Sequence, residues 1–159
     1  MPRLSFSSRN IRYSDQEKLQ HTIFPAVNSF GCYLGRAFQI MDDLLDVTSD
    51  FDGRKQVGND IYESKRSLLL AHLMQQVTPE DHTAVTAILS KPHLEKTAAE
   101  IQTVIKLMDK HGTLTYARQQ ADLWANKTCQ ALGEIDFFVE ETAVAHIHTI
   151  TEFVVKRTF

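Results

Sequence analysis

Apolar residues recur along most of the chain at steps of three and four, the spacing of one face of an α-helix. From Asp15 to Val47 the pattern is helical, and Pro25 predicts a break or kink. The stretch Thr48–Asn59, TSDFDGRKQVGN, reads as a polar loop carrying Gly53 and Gly58. A second helix is predicted from Asp60, with Asp60 as N-cap and Glu63 three residues on in the manner of a capping box, running to about Gln76. Thr78 caps a third, with Pro79 at its first position and Glu80 and Asp81 near its positive end. Lys91-Pro92 ends it. A fourth runs from about Leu94 to His111, with Ile101, Val104, Ile105 and Met108 in helical period and Gly112 suited to the C-cap. A fifth runs from about Leu114 to Leu132 and stops at Gly133. In a sixth, Ala143, Ile147, Ile150 and Val154 form one apolar stripe. Residues 1–14 have no such period and hold Ser5, Ser7, Ser8 and Asn10, so they predict a loose arm. No segment shows strand alternation. The fold class is therefore all-α, a bundle of about six helices.

Composition sharpens this reading. Six glycines and four prolines in 159 residues are too few for the many turns of an all-β fold. Apolar residues are 43% and charged residues 23%, the balance of a globular chain. A net charge of −3 argues against nucleic-acid binding and against a basic membrane-surface helix. No apolar run approaches the ~20 residues that span a bilayer, and the first ten residues lack a signal-peptide core. Cys32 and Cys129 have neither zinc spacing nor a disulfide framework, which predicts free thiols and a cytoplasmic location.

Chemistry concentrates in Gly35–Val47, GRAFQIMDDLLDV. With Gln39 at the origin of a helical wheel, Asp42, Asp43 and Asp46 fall at about 300°, 40° and 340°, so all four share an arc of about 100°. Phe38, Ile40, Met41, Leu44 and Leu45 fill the opposite side. Three anions on one helix face repel, and Asp is a poor mid-helix residue. Two readings stay open on spacing alone: a solvated acidic face, or a magnesium site, since Mg2+ takes one or two carboxylates with water and phosphate oxygens. Arg54, Lys55, Lys65 and Arg66 follow closely, beside a glycine-bearing loop and a predicted helix start. That combination suits phosphate oxygens, and the whole suits a metal-bridged diphosphate. A calcium loop centred on Gly53 fails, because Thr48 and Asn59 stand where Asp and Glu are needed. His146 and His148 lie about 200° apart on a helix and cannot chelate one metal from one face. Trp124, Tyr116 and Phe137-Phe138 read as core positions, and Ser64 and Ser67 lack partners for nucleophilic catalysis.

The string Phe38-Gln39-Ile40-Met41-Asp42-Asp43-Leu44-Leu45-Asp46 resembles the second aspartate-rich motif of the trans-isoprenyl diphosphate synthases, the polyprenyl synthetase family. FDGRKQVGNDIYESKRSLLLAHL, Phe51–Leu73, is similar to the family's lysine loop and following helix. Leu107–Thr128 and Thr151–Arg157 also look alike, so the resemblance covers about residues 24–159. It divides the chain into a non-matching arm, 1–20, and the C-terminal part of a polyprenyl synthetase domain, 21–159. The implied fold is the isoprenoid-synthase helical bundle, lacking its N-terminal half. The implied reaction is Mg2+-dependent condensation of isopentenyl diphosphate with an allylic diphosphate. By resemblance Asp42, Asp43 and Asp46 are metal ligands, directly or through water. Gln39 lies beside the allylic diphosphate, Lys55 and Lys65 bind its diphosphate, and Asp60 matches the loop aspartate. Phe38 lines the meeting point of the two substrates.

The departures set the rival readings. Glu63-Ser64-Lys65 stands where the family commonly has Glu-Gly-Lys. The family's Lys-Thr pair has no counterpart near Gln20-His21-Thr22. The first aspartate-rich motif and the isopentenyl diphosphate-binding residues are absent and are expected to precede residue 1. The alternatives are a non-catalytic subunit docked on a larger synthase, an inactive truncated product, and a class I terpene cyclase. A half-bundle would leave Ile40, Met41 and Leu44 without cover, which predicts a homo-oligomer, a larger synthase partner or marginal stability.

Overall fold

A computed structural model describes residues 20–21, 24–48, 57–133 and 141–156. Seven α-helices occur among them and no strand: α1 Phe24–Thr48, α2 Asn59–Tyr62, α3 Leu68–Gln76, α4 Pro79–Leu89, α5 Ala98–Lys110, α6 Thr113–Gly133 and α7 Glu141–Lys156. A 3-10 turn, His93–Glu95, leads into α5. The all-α class expected from the apolar period is what forms. None of these helices is long and apolar enough to cross a membrane. Cys32 and Cys129 are free thiols.

The long helices α1 and α6 lie along each other and form the spine, with α7 packed on both. Buried Ala117, Ala121 and Ala125 recur at steps of four on α6, and small side chains let neighbouring helices approach closely. Ile40, Met41 and Leu44 of α1 join Ile61, Leu69, Leu73, Val85, Ile101, Val104 and Met108 in one core. The expectation that these three α1 residues lack cover is therefore not met; α6 and the segment after α1 supply it. Exposed apolar surface lies elsewhere, at Phe24, Val27, Phe38, Leu123, Ile150 and Phe153.

Pro25 is the second described residue of α1, which runs on from it unbroken; residues 22–23, where the expected break or kink would fall, lie outside the described residues. The expected helix from Asp60 to Gln76 is instead two. Ser64 takes a left-handed φ of 53°, which no α-helix tolerates within its run. Asp60 lies inside the one-turn α2 instead of capping it, and Ser67 caps α3 by accepting from the Leu70 N–H at 3.3 Å. Thr78 caps α4 as read, accepting from the Asp81 N–H. The expected fourth helix begins later than Leu94. Thr97 and Glu100 form a reciprocal capping box there, a signal the sequence reading passed over. Among the side chains of α7 that are described, Thr151 is buried and its hydroxyl donates to the Ile147 carbonyl, while Ile150 of the predicted stripe is mostly exposed; Ala143 and Val154 lie outside the described side chains.

Candidate functional site

The site grows from the junction between α1 and α2. The Gly58 N–H donates to the Asp46 carbonyl at 2.7 Å, and the Asp60 N–H donates to Asp46 Oδ2 at 3.0 Å. These bonds fold residues 57–60 back over the last turns of α1. The fold-back needs glycine twice over: Gly58 has φ +78°, and a Cβ there would stand 2.5 Å from Ile101 Cγ2.

This cover separates the roles of the three clustered aspartates. Asp46 is buried and its carboxylate holds an α2 amide. Asp43 is only 5% exposed and accepts from Gln39 Nε2 at 2.7 Å across one helical turn. Asp42 is exposed, as is Gln39, which stands two turns before Asp46. Lys65 Nζ lies 3.1 Å from each carboxylate oxygen of Asp60 and 3.8 Å from Asp43 Oδ1. The structure thus brings Gln39, Asp43, Asp46, Asp60 and Lys65 together and leaves Asp42 facing outward. Phe38 is 44% exposed. Lys55 lies outside the described residues.

The electrostatics follow from this crowding. Burial pushes the Asp43 carboxyl above its ordinary value. The Gln39 hydrogen bond and the Lys65 charge pull it back, while neighbouring Asp60 pushes it up again. Lys65 is raised, first by its hydrogen bond to Asp60 and then by the summed field of Asp60, Asp43 and Asp42. The Asp43–Asp60 pair is an anion-rich point held by one lysine, and that lysine is nearly half exposed.

Beside it opens a cleft of about 440 Å³. Arg36, Lys65 and Arg66 bring three cations to its wall, Asp43 brings one anion, and Ile40 and Trp124 bring apolar surface. The Arg36 guanidinium lies 4.4 Å from the centre of the Trp124 ring, and Lys127 Nζ lies at the same distance. Arg36 and Trp124 escaped the sequence reading. Arg36 was within reach of it, at about 60° on the same wheel and next to Asp43. Trp124, read as core, is half-buried in the cleft wall, and only the packing of α6 on α1 puts it there. A surface that pairs cations with apolar walls can take an anionic head and an apolar chain together.

Residues 13–108 match the polyprenyl synthetase family model. The chain belongs to the polyprenyl synthetase family. Among its relatives, octaprenyl diphosphate synthase of Escherichia coli is 36% identical over 110 residues, covering 67% of this chain and 32% of that enzyme. Geranylfarnesyl diphosphate synthase of Natronomonas pharaonis is 29% identical over 147 residues, covering 92% of this chain and 38% of that enzyme. Geranylgeranyl pyrophosphate synthase of Corynebacterium glutamicum, solved with isoprenyl diphosphate and magnesium, superposes with a TM-score of 0.75 at 25% identity. That match covers 87% of this chain and 38% of the solved one. The chain therefore spans a third to two fifths of the length of these relatives.

A metal must be judged on the donors present. Among the described residues no group of three or more His, Cys, Asp and Glu is placed to hold a metal ion. A calcium-like cage is thus not built among the described residues; Asp50 and Asp52 lie outside them. Magnesium asks for less, namely one or two carboxylates, with phosphate oxygens and water completing the shell. Asp43, in the cleft wall, supplies one such carboxylate, while Asp42 is exposed and outside the cleft lining.

Proposed function

We propose that this chain binds the diphosphate of an allylic diphosphate together with Mg2+, as part of a prenyl transfer to isopentenyl diphosphate. One observation carries the reading: a buried carboxylate, Asp43, shares a half-apolar cleft with Arg36, Lys65 and Arg66. Asp42 and Asp43 would hold the metal, with Asp46 behind them fixing the loop. Bound there, Mg2+ supplies charge neutralisation for a leaving diphosphate. Lys65 and Lys55 bind phosphate oxygens, and Asp60 keeps Lys65 charged and aimed. Gln39 fixes the Asp43 carboxylate and offers its remaining amide hydrogen to an oxygen of the diphosphate. Phe38 and Trp124 give the allylic chain apolar contact.

The reaction separates charge. As the allylic C–O bond breaks, both electrons leave with pyrophosphate, and preorganised cations stabilise that developing anion. The π bond of isopentenyl diphosphate forms the new C–C bond, and loss of a proton restores neutrality. A second copy of this chain or a larger synthase subunit is the protein partner this reading expects. The free thiols suit a reducing compartment such as the cytosol.

The test is calorimetry with an allylic diphosphate. Heat is expected with Mg2+ present, and it is expected to vanish in Asp42→Ala; absence of heat from the native chain would refute the reading. Labelled allylic diphosphate, incubated with and without isopentenyl diphosphate, separates chain extension from cyclisation.

A further inference from the structure

The segment between Asp60 and Lys65 is held by a residue the diphosphate chemistry does not use. Lys96, in the link between the 3-10 turn and α5, is 6% exposed although it carries a charge. Its three N–H donors go to three neutral oxygens: the carbonyls of Ile61 at 3.0 Å and Tyr62 at 2.6 Å, and the hydroxyl of Ser64. The two carbonyls belong to the last residues of α2, and that of Ile61 also accepts from the Ser64 N–H at 3.1 Å. Ser64 passes the link on, since its own hydroxyl donates to the Leu89 carbonyl at 2.6 Å. A single ammonium thus ties α2 to the end of α4.

Burial of a lysine is costly, and burial pushes this ammonium below its ordinary pKa. Ser64 adds a second cost, because φ +53° is the left-handed region. Such costs persist where surrounding contacts over-determine a geometry. The geometry fixed here is specific. Asp60 and Lys65 flank the tied residues 61–64, and the Lys65 N–H donates to the Asp60 carbonyl at 2.9 Å. Their side chains meet in the ion pair beside Asp43.

We propose that Lys96, acting through Ser64 and the α2 carbonyls, is a positioning residue that sets Asp60 and Lys65 against Asp43. This deepens the diphosphate reading and rests on it for its functional consequence. The lysine touches no part of the cleft itself. It fixes the turn from which Lys65 reaches in.

The experiment uses the full 159-residue chain as native protein, Lys96→Met, Ser64→Gly and Val85→Ala. Lys96→Met keeps the stem and removes the donors. Ser64→Gly removes the hydroxyl but accepts the positive φ without strain. Val85→Ala destabilises the core from α4, remote in role from the clamp. Hydrogen exchange of residues 61–67 and calorimetric binding of inorganic pyrophosphate with Mg2+ are both measured.

Lys96→Met is expected to lose protection at the Ser64, Lys65 and Ser67 amides and to bind pyrophosphate about tenfold more weakly, the effect of mis-setting one charged hydrogen bond. Ser64→Gly is expected to do the same to a smaller degree. Val85→Ala is expected to lower the melting temperature with native protection at 61–67 and native affinity. If Lys96→Met falls in melting temperature like Val85→Ala but keeps native protection and native affinity, the positioning role is overturned. If Lys96→Met fails to fold, Lys96→Ala, which leaves room for water at the three oxygens, is measured in its place, and native protection and affinity for it overturn the role. If the native chain binds no pyrophosphate, the diphosphate reading fails, and protection at 61–67 still decides whether Lys96 sets the turn.

Discussion

The two halves of α1 are written in the same amphipathic pattern and meet different fates. From Ala37 to Val47 every apolar residue but Phe38 is buried, and two aspartates are buried with them. From Phe24 to Gly35 no residue is fully buried, and Phe24 is 60% exposed. The difference lies in cover. The Gly58–Asp60 fold-back, α6 and the core of α3 to α5 close over the second half. An apolar stripe states what can be buried, and the neighbouring segments decide what is. The same cover turns one aspartate of the cluster into a structural anchor and another into a cleft residue.

Truncation gives the largest contrast. Met41→Ala in the covered half should cost about 2–5 kcal/mol by urea unfolding, because a fully enclosed side chain leaves a cavity. Phe24→Ala should stay within about 0.5 kcal/mol, as expected for an exposed position. Equal effects would abolish the distinction between the halves.

Gly58→Ala attacks the cover itself. Left-handed backbone costs an L-residue roughly 1–2 kcal/mol, and the contact with Ile101 adds overpacking of roughly 1–3 kcal/mol. A melting curve should show the loss. The double variant with Ile101→Ala, which removes the clashing Cγ2, should lose less than the sum of the two single variants.

Asp43→Asn should change stability little, or raise it, since it removes a buried charge while keeping an acceptor for Gln39. It should nonetheless abolish diphosphate binding. A large loss of stability would mean that Asp43 serves the fold first, as Asp46 does.

The smallest effect is a pH dependence away from the site. The Lys91 ammonium, and then the Thr97 N–H, hold the Glu100 carboxyl down at about 2, against an ordinary 4.5. In that interval the unfolded chain binds the proton that the folded chain refuses. The contribution is therefore complete above about pH 4.5 and disappears as pH falls through about 2. Thermal melts of native protein and Glu100→Gln should differ slightly at pH 6 and converge near pH 2. Glu100 is solvent-accessible, which keeps the difference small.

How much of this was legible follows from the range of the interactions. The Thr78 cap and the α5 stripe through Ile101, Val104 and Met108 are local, and the sequence pattern reads them correctly. The break at Ser64 was not legible, because Lys96, 32 residues away, and Leu89 hold it. For the same reason the wheel placed Asp46 with the exposed polar groups. Its partner is the Asp60 amide, and no helical period reveals a bond across 14 residues. Trp124 joins the cleft only through the packing of α6 on α1. Arg36 is legible on the wheel, at about 60° and next to Asp43.

The central claim is that the Asp43 cleft binds a magnesium-bridged diphosphate. Trp124 is the only tryptophan in the chain and lines that cleft beneath Arg36, so its emission reports occupancy directly. Titrating pyrophosphate with Mg2+ should give a saturable change in that emission, absent without Mg2+ and absent in Asp43→Asn. No change in the native protein, or an identical titration in Asp43→Asn, would contradict the account.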